Sequence, residues 1–191
     1  MGFSNFTLRD VVRQFCLVTS EVPDLFADAR DVEPSPLMRS ILGEYTPLAL
    51  AINTEKARSE LLIAPILVEV RSHLSHRISL FSGVEFVADA AQGLTGYCDF
   101  LLARSAEQQF LTSPLLMVVE AKNENLKSGL GQCAATMVGA RLFNQREGGP
   151  VDRLFGAVVQ QGDELTPKCV WTRWAWRKLK SSLRQTTGEG C

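Results

Sequence analysis

Two histidines, no Cys-x-x-Cys pair and five irregularly spaced cysteines leave little from which to build a zinc site or a disulfide framework. Cys16, Cys98, Cys133, Cys169 and Cys191 therefore read as free thiols, the state that a reducing cytoplasm maintains. His73 and His76 stand three residues apart without a further ligand in reach of the sequence, and read as surface residues. Charge of one sign is also missing: 20 Lys and Arg face 21 Asp and Glu, a formal net charge of −1. A domain that holds nucleic acid by overall positive charge is thereby excluded, while a local basic cleft is not. Long hydrophobic runs are absent. Leu61 to Val68 is far too short to span a bilayer, and Met1–Phe6 has no basic stretch leading into an apolar one. Phe6 also stands where a myristoylation signal needs Ser or Thr. The expectation is a soluble, cytoplasmic protein with no membrane partner.

What is present suits one folded domain. The chain has 191 residues, 46% of them hydrophobic and 21% charged, enough apolar material for a sizeable core. Leu8, Val11, Val12 and Phe15 fall at helical spacing behind the capping residue Thr7, which predicts a helix over 7–18. An acidic connector follows and ends at Pro34 and Pro36. A short helix over 36–43 should stop at Gly43. Residues 53–74 read as a longer helix capped by Asn53 or Thr54; its middle is apolar on every face, so it should be buried, with a kink at Pro65. Strands are expected at 84–88, 96–103, 115–122 and 154–159, with a turn at Gly93 and a helix over 126–144 before the last strand. This order predicts an α/β fold with a central mixed β-sheet flanked by helices.

The chemistry is signalled by charge where packing disfavours it. Leu115-Leu116-Met117-Val118-Val119 runs straight into Glu120-Ala121-Lys122, and alternation along a strand puts Glu120 and Lys122 on one face. In the preceding strand, Asp99 stands alone among the apolar residues Cys98, Phe100, Leu101 and Leu102. Burying a lone charge is costly unless it is paired or binds metal. If the two strands are neighbours, Asp99 and Glu120 converge into a hard-oxygen site suited to Mg²⁺ or Mn²⁺. Glu60 opens the buried helix with Ala64 and Leu67 on its face, which places a third carboxylate at the edge of the apolar interior. Gln132, in the helix after Lys122, offers an amide to a phosphate oxygen or to the strand end. The plainer readings are an ion pair at a strand end for Glu120 and Lys122, a turn cap for Asp99, a first-turn helix acid for Glu60 and a surface amide for Gln132.

Glu60, Asp99 within Gly-Tyr-Cys-Asp-Phe, Glu120-Ala121-Lys122 and Gln132, in that order, resemble the PD-(D/E)XK (restriction-endonuclease-like) nuclease superfamily over roughly residues 53–160. The departure is at the residue before Asp99, which is Cys98 where the family name has Pro. The resemblance implies a restriction-endonuclease-like core and metal-dependent hydrolysis of a phosphodiester, with nucleic acid, DNA first, as partner. It further implies that Asp99 and Glu120 hold one or two Mg²⁺ or Mn²⁺ ions, with the Ala121 carbonyl and Glu60 as further ligands. Lys122 would orient water or stabilise charge on phosphorus, and Gln132 would position. The alternative is a catalytically silent module of the same fold that binds nucleic acid or a protein. A homodimer is compatible with either.

Three regions are expected: a helical N-terminal extension packed on the core (1–52), the nuclease-like core (53–162) and a basic, Trp-rich tail (163–191). The tail carries Lys168, Arg173, Arg177, Lys178, Lys180 and Arg184, interleaved with Trp171, Trp174 and Trp176. Such a segment can track phosphates and stack bases. It can equally be an amphipathic edge element or a divergent, frame-altered end, since no partner strand is evident from its sequence.

Overall fold

The computed structural model describes residues 2–19, 29–122, 126–161 and 167–175. The elements are α1 (Leu8–Gln14), α2 (Pro36–Ile52), α3 (Glu55–Arg58), α4 (Ala64–His73), β1 (Ser79–Asp89), β2 (Leu94–Ala103), β3 (Leu115–Lys122), α5 (Leu126–Arg146), β4 (Arg153–Gln161) and β5 (Pro167–Ala175). They form an α/β fold around one mixed sheet in the order β1-β2-β3-β4-β5. β1, β2 and β3 are successively antiparallel, and β4 lies parallel to β3. Two parallel neighbours need a crossover, and α5 provides it. β5 then pairs antiparallel with β4 from Gln161↔Pro167 to Arg153↔Ala175. The first part of the tail is thus an edge strand, the edge-element alternative, with a partner that its own sequence did not reveal. Arg177, Lys178, Lys180, Arg184 and Trp176 lie outside the described residues.

Each face of the sheet has its own core. On one side Leu101, Ala103, Leu115, Val118, Leu154 and Val158 pack with Cys133, Ala134, Met137 and Val138 of α5, together with Phe3, Phe6 and Val11 from the N-terminal segment. On the other side Phe100, Leu102, Val119, Ala121 and Ala157 meet Ile63 and Leu67. The N-terminal segment comes very close to α5. A Cβ at Gly131 would collide with the Phe6 carbonyl oxygen, and one at Gly139 would stand 3.2 Å from Phe3 Cε1.

Several expectations from the sequence are corrected. α2 does not end at Gly43 but runs to Ile52, because its true stop is Asn53, which adopts the left-handed conformation (φ 55°) and caps the helix end. Thr54 then caps α3, its Oγ1 accepting from the Ala57 N–H at 3.1 Å. The helix expected over 53–74 is one helical run from Glu55 to His73, interrupted by a π turn at Ser59–Ile63. There the Ala64 N–H reaches back five residues to the Ser59 carbonyl. This turn immediately precedes Pro65, which has no N–H to donate. Nor is that helix buried all round. Ile63 and Leu67 are buried, whereas Ile66, Val68 and Val70 are exposed at 42%, 54% and 37%. Cys98 and Cys133 are free and buried. Cys16 is disulfide-bonded, which corrects the expectation of a free thiol there. Among the described residues, no helix is long and apolar enough to cross a membrane.

One local feature of the hairpin bears on the site. β1 pairs Ser82 with Phe100 and Val84 with Cys98. Between them lies Gly83, whose φ of +62° suits glycine, across from Asp99. The alternation of faces changes phase at this point. Phe81 and Leu101 pack toward α5, and so do Val84 and Cys98, three residues further along each strand. Asp99 therefore sits where β2 turns over, not within a regular apolar face.

Candidate active site at the end of strand β3

The β2–β3 ladder ends at Phe100↔Val119, and just beyond it the Asp99 and Glu120 side chains come together. The two strands are neighbours, as convergence of the two acids requires. At the phase change the Asp99 carboxylate turns toward β3, and its Oδ2 accepts the Ala121 N–H at 2.8 Å. The Ala121 peptide is thus fixed at the acidic pair, between β2 and Val159 of β4.

Glu120 is fully buried, with 0% exposure. Its Oε2 accepts a hydrogen bond from Gln132 Nε2 at 2.7 Å, so Gln132 is bound into the site from α5 rather than lying on the helix surface. Lys122 Nζ stands 4.0 Å from the same oxygen. The other oxygen, Oε1, is buried and has no hydrogen-bond partner. Burial, then the neighbouring Asp99 charge, push the Glu120 carboxyl up to about 9, with Lys122 pulling the other way. Cys98 and Cys133 line the same interior. Burial, reinforced by the Glu120 charge, raises both thiols above their ordinary value and keeps them protonated.

Lys122 is mostly covered, and its ammonium lies 3.5 Å from Glu55 Oε1 on α3 as well as near Glu120. Its stem is accommodated by Gly129 of α5, where a Cβ would stand 2.7 Å from Lys122 Cγ and 2.6 Å from Val158 Cγ1. A glycine one turn into α5 therefore leaves room for the lysine to run beneath the helix.

Glu60 is placed differently from expectation. Its carboxylate is 59% exposed and pairs with Lys56 Nζ at 2.9 Å, out in solvent rather than at the apolar edge. The physical reason is the π turn. An extra residue per turn rotates everything before it by about 100° relative to Ala64 and Leu67, so the i, i+4, i+7 count from Glu60 does not hold. The acid that reaches the lysine is Glu55, five residues earlier, which the sequence reading missed. Its signal was available: Glu55 directly follows the cap Thr54, in the first turn of α3. Lys56, beside it, feels both Glu60 and Asp99, and its ammonium is raised by them, Glu60 first.

Among the described residues, no group of three or more His, Cys, Asp or Glu side chains is arranged to hold a metal ion. Two carboxyl groups do converge, and one of their oxygens, Glu120 Oε1, is buried without a hydrogen-bond partner. Mg²⁺ keeps several waters and is commonly bound by one or two carboxylates, so Asp99, Glu120 and the Ala121 peptide fit a hard cation without a third acidic side chain. His73 pairs with Glu69 at 3.2 Å and His76 lies 3.3 Å from Arg71, both away from these acids in the chain's α4 region. Compared with protein-family models, with curated proteins and with solved structures, the chain matches none.

Proposed function

We propose that this chain is a Mg²⁺- or Mn²⁺-dependent phosphodiesterase acting on nucleic acid, with DNA as the first substrate to test, built on a restriction-endonuclease-like core. The observation that carries the reading is the Glu120 carboxyl group: fully buried, beside Asp99, with Oε1 lacking a hydrogen-bond partner. Leaving a buried anionic oxygen unpaired costs several kcal/mol by order of magnitude, and a cation or a proton removes that cost. The order of elements also supports it: a helix bearing an acid, the Asp99 strand, the Glu120–Lys122 strand, and a Gln132 helix crossing to a parallel strand.

In this reading Asp99, Glu120 and the Ala121 carbonyl would hold the cation, which would supply polarisation of a phosphoryl oxygen and a more acidic water. Lys122, held between Glu55 and Glu120, directs its ammonium at charge developing on phosphorus. Gln132 fixes the Glu120 carboxylate plane through Oε2. Glu60 acts only through Lys56, not as a direct ligand.

The test is calorimetric titration of Mn²⁺ into the wild type and Asp99→Ala, followed by cleavage assays on single- and double-stranded DNA and RNA. Metal binding and cleavage that both disappear in Asp99→Ala are expected. Absence of cleavage on every substrate with either metal overturns the reading. A second reading is favoured by the raised Glu120 carboxyl: Asp99 and Glu120 share a proton in a catalytically silent fold that binds nucleic acid or a protein. It predicts no metal heat in the titration and salt-dependent binding that Glu120→Gln leaves unchanged.

A further inference from the structure

α2 lies outside the helical run that covers the sheet. It meets the fold through α3, the π turn and α4. Ser35, its N-cap, is tied to α4: the Ser35 N–H donates to Glu69 Oε1 at 2.7 Å, and its Oγ donates to Oε2 at 3.1 Å. Asn53 closes the other end of α2, and Thr54 starts α3 there. α2 therefore runs antiparallel to α3 and α4. The two arms make a helical hairpin whose second arm reaches the sheet through Ile63 and Leu67.

At about 100° per residue, the large apolar side chains of α2 fall within an arc of about 140°. Its two charges, Arg39 and Glu44, lie outside that arc. Met38 and Ala49, on the inner half, are buried, with Leu42 partly covered beside them. The outer half holds Leu37, Ile41, Tyr45, Leu48 and Ile52. Leu37 is 70% exposed, Leu48 50%, Ile52 48% and Tyr45 38%. Exposed apolar residues are ordinary singly, but a contiguous row on one helix marks a contact surface.

We propose that this row is the contact between two copies of the chain, α2 packed antiparallel on α2 across a two-fold axis near Tyr45. The inference stands apart from the nuclease reading. A second copy is the occupant because the row is its own complement. Leu37 and Ile52 are equidistant from its middle, as are Ile41 and Leu48, and Tyr45 lies at it. Reversing the helix sets Leu37 of one copy against Ile52 of the other, and Ile41 against Leu48, the isologous pairing of a two-fold dimer. The area agrees. The four exposed side chains present roughly 400 Å² of apolar surface on each copy, about 800 Å² for the pair. Homodimer interfaces are about 65% apolar, so the whole contact is about 1,200 Å², at the lower end of specific interfaces. A contact of that size implies a dimer that forms in the micromolar range.

The experiment is sedimentation velocity of the full chain from about 1 to about 200 µM. The proteins are the wild type, Leu48→Glu and, as a control, Val87→Glu at an exposed apolar position of β1, with circular dichroism to verify the fold of each. A wild-type dimer that grows with concentration, association weakened more than about tenfold by Leu48→Glu, and no change in Val87→Glu are expected. A wild type that stays monomeric throughout overturns the proposal, whether residues 20–28 or a different protein covers the row. A dimer untouched by Leu48→Glu, or weakened equally by Val87→Glu, also overturns it. Cross-linking tests the pairing. Under mild oxidation Tyr45→Cys should link to itself beyond the wild-type level, and Leu37→Cys should link only when combined with Ile52→Cys. Self-linking by Leu37→Cys with none by Tyr45→Cys overturns the antiparallel two-fold.

Discussion

Replacing Glu120 by glutamine should make the protein more stable while removing a ligand of the proposed metal site. Glu120 is fully buried and its carboxyl is pushed up to about 9 from an ordinary 4.5, first by desolvation and then by Asp99. Between those two values the folded chain holds a proton that the unfolded chain releases. Stability is therefore fully present below the unfolded value and falls as pH rises, by about 1.4 kcal/mol per pH unit, until the folded value is passed. At pH 7 the loss is about 3 kcal/mol relative to acid conditions. Glutamine has nothing to ionise. Its amide oxygen can keep the bond from Gln132 Nε2, and its amide N–H groups fill the orphaned Oε1 position facing Asp99. Glu120→Gln should thus gain about 3 kcal/mol at pH 7, a rise in Tm of roughly 6–12 °C, with little difference from wild type near pH 5. Urea unfolding followed by circular dichroism at pH 5, 6, 7 and 8 without metal measures both slopes. Parallel slopes for the two proteins would refute the reasoning, because they would mean that Glu120 is ionised in the folded state. Mn²⁺ should raise the Tm of the wild type and leave that of the variant unchanged.

Other positions give independent checks. Glu55→Gln removes one of the two carboxylates beside the Lys122 ammonium while leaving the Glu120 contact, and should lower the cleavage rate roughly twofold to fivefold with KM unchanged; an unaltered rate means that Glu120 alone positions the lysine. Gly131→Ala drives a methyl group into the backbone at Phe6–Leu8 and should cost about 1–3 kcal/mol in urea unfolding, with the N-terminal segment becoming the first site of proteolysis. Asn144→Ala strips both backbone partners from Leu115 at the start of β3, whose N–H and carbonyl are bound at 2.7 and 2.8 Å, and should destabilise by about 2–4 kcal/mol.

Much of the architecture was legible because it rests on period and composition. The β3 run of apolar residues gives the same bounds in sequence and structure, and α5 and β4 differ from expectation by only a residue or two at their ends. These elements are buried on both faces or carry a long helical stripe, so local pattern and tertiary packing agree. The misreadings cluster where backbone geometry departs from a fixed period. Gly43 reads as a helix stop, but whether a glycine ends a helix depends on its φ, and here the left-handed residue is Asn53. A count of 3.6 residues per turn from Glu60 fails because the π turn at Ser59–Ile63 intervenes. The extension of the sheet by β5 could not be seen because it is made by pairing with β4, a contact between strands and not a property of either one.

The sequence by itself determined that Asp99, Glu120 and Lys122 are anomalous, since isolated charges within apolar strands need a partner wherever those strands end up. Only the tertiary structure decided who the partners are. Antiparallel pairing of β2 and β3 brings Asp99 beside Glu120, the crossover of α5 carries Gln132 onto Oε2, and the π turn sends Glu60 to solvent while Glu55 reaches Lys122. The physical reason is that a charge's cost is set by its own burial, which apolar neighbours in the chain already announce. Its compensation comes from atoms that are distant in sequence, and their approach is fixed by register, helix phase and the room a glycine leaves.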